Sequence, residues 1–124
     1  MIEPVFQLDD LDFTAAEPER FTTVSEGSGK AVHVHFCPDC GTKVVLTFER
    51  WPDRIGLYAG TLDDPSAFAP TPSNAKQIFV SEAAPGTVLL PGIPTFERHA
   101  VSKDGTRNVP TIHDLPVVVG PRSE

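Results

Sequence analysis

The sharpest pattern in the chain is the run AVHVHF at residues 31–36, in which apolar and polar side chains alternate at every step from Val32 onward. In an extended chain this places Val32, Val34 and Phe36 on one face and His33, His35 and the following Cys37 on the other, which is the period of a strand with one buried face. Similar β-rich runs at residues 42–48 (TKVVLTF) and 55–60 (IGLYAG) flank the proline-containing loop ERWPDR and predict a hairpin packed on the first strand. Residues 5–13 (VFQLDDLDF) alternate as a strand that breaks near Asp9 and Asp10. Residues 21–24 supply another strand after a turn, and residues 76–84 (KQIFVSEAA) read as one more. From these patterns Val32, Val34, Phe36, Val45, Leu57 and Ile78 are expected in the core, with Val44 and Val45 on opposite faces of their strand.

The stretches between these runs are turn chemistry. Proline removes a backbone donor and is excluded from helix interiors and central strands. Thirteen prolines and nine glycines in 124 residues therefore predict a mainly β, antiparallel fold of short strands joined by Pro/Gly-rich turns, with no helix beyond about three turns. Residues 61–76 carry Asp-Pro, Ala-Pro and Thr-Pro steps, residues 85–99 contain three prolines and two glycines, and Lys103-Asp104-Gly105 reads as a tight turn. No internal repeat and no long linker interrupts the chain. Its length suits a single domain over residues 1–124, ending in a loose polar tail from about 115 to 124.

Charge narrows the partners. A formal net charge of −7 opposes the phosphate-neutralising interactions that dominate nucleic-acid binding, so neither nucleic acid nor an anionic membrane is expected to bind. The first residues, MIEPVFQLDDLDF, have neither a basic segment nor an apolar one, and no apolar run reaches the ~20 residues that span a bilayer. The expectation is a cytoplasmic protein.

In that setting the two cysteines, Cys37 and Cys40, become the centre of chemical interest. A Cys-x-x-Cys turn closed by Gly41 suits zinc, because both thiolates converge on one ion and the glycine takes the positive φ that aims backbone N–H groups at the sulfurs. Two other readings stay open at this level: a redox pair, which usually stands at the start of a helix rather than between strands, and two thiols that hold no metal or close a disulfide. His35 shares a strand face with Cys37 and offers an imidazole as a third ligand, with His33 one step further, while His99 and His113 read as surface residues. Asp63-Asp64-Pro65 reads as a turn opener rather than an acid/base pair. Trp51 and Tyr58 suit an interface or the wall of a small pocket.

The residues HFCPDCGT (35–42), followed by AGTLDDP (59–65), resemble the glutathione-dependent formaldehyde-activating enzyme and centromere protein V family. The stretches IFVSEAAPG and PVFQLDDLDF…RFTTVSEGSGK resemble the same family in order and spacing, so the likeness runs from about residue 5 to residue 99. The resemblance implies antiparallel β-tent-like sheets, a structural zinc on four cysteines, and a second zinc whose cysteines carry carbon–sulfur lyase chemistry on a glutathione adduct. Cys37 and Cys40 match the later pair of the structural site. The earlier pair and the ligands of the second zinc would precede Met1, so no catalytic residue is carried over. The chain is therefore read as a truncated or degenerate member with residual zinc-binding capacity at Cys37 and Cys40. The alternative is a lyase-like enzyme on a glutathione conjugate whose zinc centre is completed across a subunit interface. If zinc is bound, a homodimer sharing a Cys₄ site across a two-fold axis is the expected arrangement.

Overall fold

A computed structural model describes residues 1–122 and divides by its contacts into two compact units, Met1–Ala69 and Pro70–Glu124. The fold is mainly β: among the described residues the only helical turns are 3₁₀ segments of three or four residues, and no helix is long and apolar enough to cross a membrane.

The first unit is a five-stranded antiparallel sheet in the order β1-β5-β4-β3-β2. It is built from β1 (Val5–Gln7), β2 (Glu19–Val24), β3 (Ala31–Phe36), β4 (Lys43–Phe48) and β5 (Arg54–Leu57). Strands β2 to β5 form a meander, so every connection is a local turn, and β1 adds to the far side of β5. As expected, the first strand breaks at the aspartates: Leu8–Asp10 is a 3₁₀ turn, anchored by Leu8 N–H donating to the Asp53 carbonyl at 2.8 Å.

Register assigns the faces. His33 lies opposite Thr22 and Thr47, and His35 opposite Arg20 and Val45; Val45 in turn lies opposite Leu57, Thr47 opposite Ile55, and Ile55 opposite Phe6. These side chains therefore share one face, and it is the face with the deepest core: Val45 is 1% and Ile55 2% exposed. Phe68, from the 3₁₀ turn Pro65–Phe68, closes over Phe6 edge-to-face with ring centroids 5.3 Å apart. That turn is held by Asp64, whose Oδ1 accepts from Ser66 N–H and Oγ at 3.1 and 2.6 Å, so Asp64 is a cap.

Five of the six residues expected in the core need correcting. Val32, Val34, Phe36 and Leu57 are half-buried rather than buried, and Ile78 is 41% exposed. For β3 the reason is twofold: Val32, Val34 and Phe36 alternate with His33 and His35 and so point away from the face of Val45 and Ile55, and the neighbouring β2 is exposed at all six residues. Alternation reports which residues share a face, not which face is covered.

The run at residues 76–84 is not a strand. Gln77 makes one isolated bridge to Thr95, Phe79 then turns left-handed at φ 55°, and Val80–Glu82 forms a 3₁₀ turn. Instead of a ladder, the second unit uses side chains as backbone. The Gln77 carboxamide accepts from Leu90 N–H at 2.7 Å, donates to the Leu90 carbonyl at 3.2 Å and donates to the Thr95 hydroxyl at 2.8 Å. The Thr95 hydroxyl, on a residue 4% exposed, donates in turn to the Ile93 carbonyl at 2.9 Å. The segment expected to be loose is also tied down in part, since β6 (Val88–Leu89) pairs with β7 (Val117–Val118). Ser123 and Glu124, the end of that tail, lie outside the described residues.

Candidate metal centre

The turn between β3 and β4 holds both cysteines. It is a tight knuckle closed twice by backbone: Cys37 N–H donates to the Thr42 carbonyl and Gly41 N–H to the Cys37 carbonyl, each at 2.8 Å. Gly41 sits at φ +76°, and a Cβ built there would meet nothing within 4 Å, so its role is the left-handed backbone and not space. On the β4 side a register shift follows: His35 opposes Val45 while Phe36 opposes Lys43. Val44 is left over as the extra residue, the local kink that a bulge supplies where a turn must be re-aimed.

The geometry favours thiolate. Cys37 is half-buried and Cys40 exposed, both as free thiols. The Thr42 hydroxyl lies 3.1 Å from Cys40 Sγ. That hydroxyl above all, then the Thr42 backbone N–H and the Cys37 side chain, pull the Cys40 thiol below its ordinary range, against a smaller opposing push from burial and from the Asp39 carboxylate. The two cysteines stand on one turn closed by the Gly41 N–H to Cys37 carbonyl bond, so both thiols are presented from the same knuckle. Thr42 is the partner of Cys40 that reading the cysteine spacing alone passes over. Its signal is a hydroxyl two positions after the second cysteine, just past the glycine.

His35 does not join them. Its Nε2 is engaged by the Thr47 hydroxyl at 2.8 Å, and Thr47 lies further from the knuckle along β4 than Val45, the register partner of His35. His33 is held likewise, its Nδ1 2.8 Å from the Thr22 hydroxyl. Burial first, then the charges of Arg20 and His33, push His35 below its ordinary value. Among the described residues no group of three or more His, Cys, Asp or Glu side chains is arranged to hold a metal ion. The donor set thus fits two of zinc's four positions.

Trp51 packs edge-to-face on Phe48, with centroids 6.0 Å apart, and lies under two guanidinium groups, Arg50 at 4.7 Å and Arg54 at 5.9 Å. It therefore acts as an aromatic platform at the β4–β5 turn. Tyr58 is half-buried beside Glu3; burial, then the Glu3 charge, raise its phenol above the ordinary value.

The first unit is thus an antiparallel β-sheet that bears a Cys-x-x-Cys-Gly knuckle between two adjacent strands. The family model described as glutathione-dependent formaldehyde-activating enzyme matches residues 1–82, and the chain belongs to that family. No curated protein and no solved structure matches the chain.

Proposed function

We propose that this chain is a member of the formaldehyde-activating enzyme family that works without the family's catalytic zinc and keeps a zinc-binding knuckle at Cys37 and Cys40. The observation that carries the reading is the pair of free cysteines on one glycine-closed turn, with the Thr42 hydroxyl 3.1 Å from Cys40 Sγ. The 124 residues hold two cysteines, so two thiolates come from the chain and the remaining positions are open to ligands from outside it. A small thiol such as glutathione or a glutathione conjugate is the ligand whose chemistry matches. A reducing cytoplasm keeps the pair in the dithiol form that zinc needs.

Zinc titration of the reduced protein, with and without glutathione, tests this. One equivalent per chain, tightened by glutathione and lost in Cys37→Ser and Cys40→Ser, is the expected result. Half an equivalent per chain, on a dimer that chelator dissociates, indicates the shared Cys₄ site instead. The purified chain is expected to leave formation of the hydroxymethyl–glutathione adduct at its spontaneous rate. Saturable, chelator-sensitive turnover would favour the lyase-like alternative with a zinc centre built between subunits.

A further inference from the structure

Strand β2 is the long free edge of the five-stranded sheet: β1, at the other edge, has three residues, whereas β2 has six and all are exposed. The direction of its free backbone groups follows from one bond. Ser25 N–H donates to the Lys30 carbonyl at 2.9 Å, which makes Ser25 and Lys30 a hydrogen-bonded pair of the β2–β3 ladder. Because such pairs alternate in an antiparallel ladder, Glu19, Phe21 and Thr23 turn their N–H and C=O groups inward to β3, and Arg20, Thr22 and Val24 turn theirs outward. The other side of the hairpin agrees: Ala31, at the opposite parity, accepts from Glu49 N–H at 3.0 Å.

Of the usual protections of an edge, β2 keeps only two charged residues at one end, Glu19 and Arg20. Within β2 there is no proline, no lysine and no register shift, and Phe21 and Val24 are 61% and 62% exposed. Proline stands just before it, at Pro18, and the turn beginning at Glu26 ends it, so the pairing segment has fixed limits.

We propose that β2 is a homodimer interface, in which the β2 strands of two copies pair antiparallel about a two-fold axis through Thr22 and join two five-stranded sheets into one. Only this register pairs all three outward residues: Thr22 meets Thr22 of the second copy, and Arg20 meets Val24 in both directions. A slip of two residues one way would set Pro18, which has no N–H, opposite Val24. A slip of four the same way would set Arg20 against Arg20. The chosen register is complementary in charge as well. It brings Arg20 to the end of the other copy's strand, beside the turn that begins at the acidic Glu26, and no like charges lie opposite one another. Phe21 comes to lie opposite Thr23 on the other face, which covers part of its ring.

The arrangement has a consequence for the cysteines. Cys37 continues β3 to the position level with residue 18, four residues from the axis, so the two knuckles lie at opposite ends of the joined sheet. Strand spacing and rise put them roughly 30 Å apart. This dimer cannot share a zinc ion, and it is independent of whether the knuckle binds one.

Sedimentation equilibrium of the full chain in chelator and reductant, across micromolar to millimolar concentration, tests the interface through one position. Val24→Lys sets an ammonium opposite Arg20 of the other copy and is expected to weaken dimerisation at least tenfold. Val24→Glu sets a carboxylate there and is expected to preserve or strengthen it. Thr22→Pro removes an outward donor at the axis and is expected to give a monomer. Circular dichroism of each variant checks that the sheet is intact, and the Val24 pair keeps the test informative if the proline variant does not fold. A monomer at every concentration overturns the proposal. So does a dimer that responds equally to lysine and glutamate at position 24, or one that forms only with zinc.

Discussion

In Met1–Ala69 backbone groups find partners along strands of three to six residues, whereas in Pro70–Glu124 the named strands are two residues long and the backbone at Leu90 rests on the Gln77 side chain. The difference traces to proline. Between residues 31 and 57 the one proline outside the knuckle, Pro52, stands in the β4–β5 turn, so strands can lengthen until they bury Val45 and Ile55. Beyond residue 84, Pro85, Pro91 and Pro94 break the chain before a ladder forms, and Gln77 supplies the donor and acceptor that a neighbouring strand would have offered to Leu90. Order is reached in both units, by repetition in one and by single residues in the other.

Substitutions should expose that contrast. The largest loss is expected for Ile55→Ala, which removes a 2%-exposed side chain from the sheet core and should cost about 3 kcal/mol in urea unfolding. Next comes Gln77→Ala, which strips three hydrogen bonds and leaves Leu90 N–H without its partner, at about 2 kcal/mol. Its mark should be local: hydrogen exchange at Leu90 and Thr95 should accelerate while the amides of β4 stay protected, and equal acceleration in both would erase the distinction between the units.

Gly41→Ala should cost about 1 kcal/mol, because alanine at φ +76° is strained although space is open. Its larger signature is a weaker zinc complex, since the Thr42 donors depend on the turn.

The smallest effect concerns Glu3, whose carboxyl lies over Gly56, 2.6 Å from where a Cβ would stand there. Burial raises its pKa above 4.5. A carboxyl with a raised folded-state pKa contributes stability that is fully present below the unfolded value and is lost as pH rises through the folded value. Glu3→Gln should therefore gain stability over the wild type as pH climbs from 4.5 toward neutrality, and the gain should vanish in acid. A gain that grows in acid would reverse the sign and contradict the burial of Glu3.

What the sequence made legible follows the same division. The strict alternation at residues 31–36 located β3 and its faces, and the glycine after Cys40 located the knuckle, because period-two patterning and a required positive φ are local properties. Which face of the sheet is covered depends on Phe68 and on the edge position of β2, and no local pattern carries that. Hence Val32 and Val34 looked like core and are half-buried, while Val45 was placed correctly. At residues 76–84 a short apolar run mimicked a strand, but a strand requires a neighbour, and Phe79 turns away at φ 55°. His35 illustrates the same limit at the site: its strand face suggested a ligand, and the cross-strand hydroxyl of Thr47 directs its ring elsewhere.

The central claim is that Cys37 and Cys40 together, and no histidine, form the protein's share of a zinc site. Cobalt substitution reads it directly, because sulfur-to-cobalt charge-transfer absorption counts thiolates and the ligand-field bands report geometry. Wild-type protein with cobalt in reductant free of thiols should show a two-thiolate signal that rises when glutathione is added, falls to half or less in Cys40→Ser, and is unchanged in His35→Gln. Absence of thiolate absorption, or a signal that collapses in His35→Gln with both cysteines intact, would contradict the account.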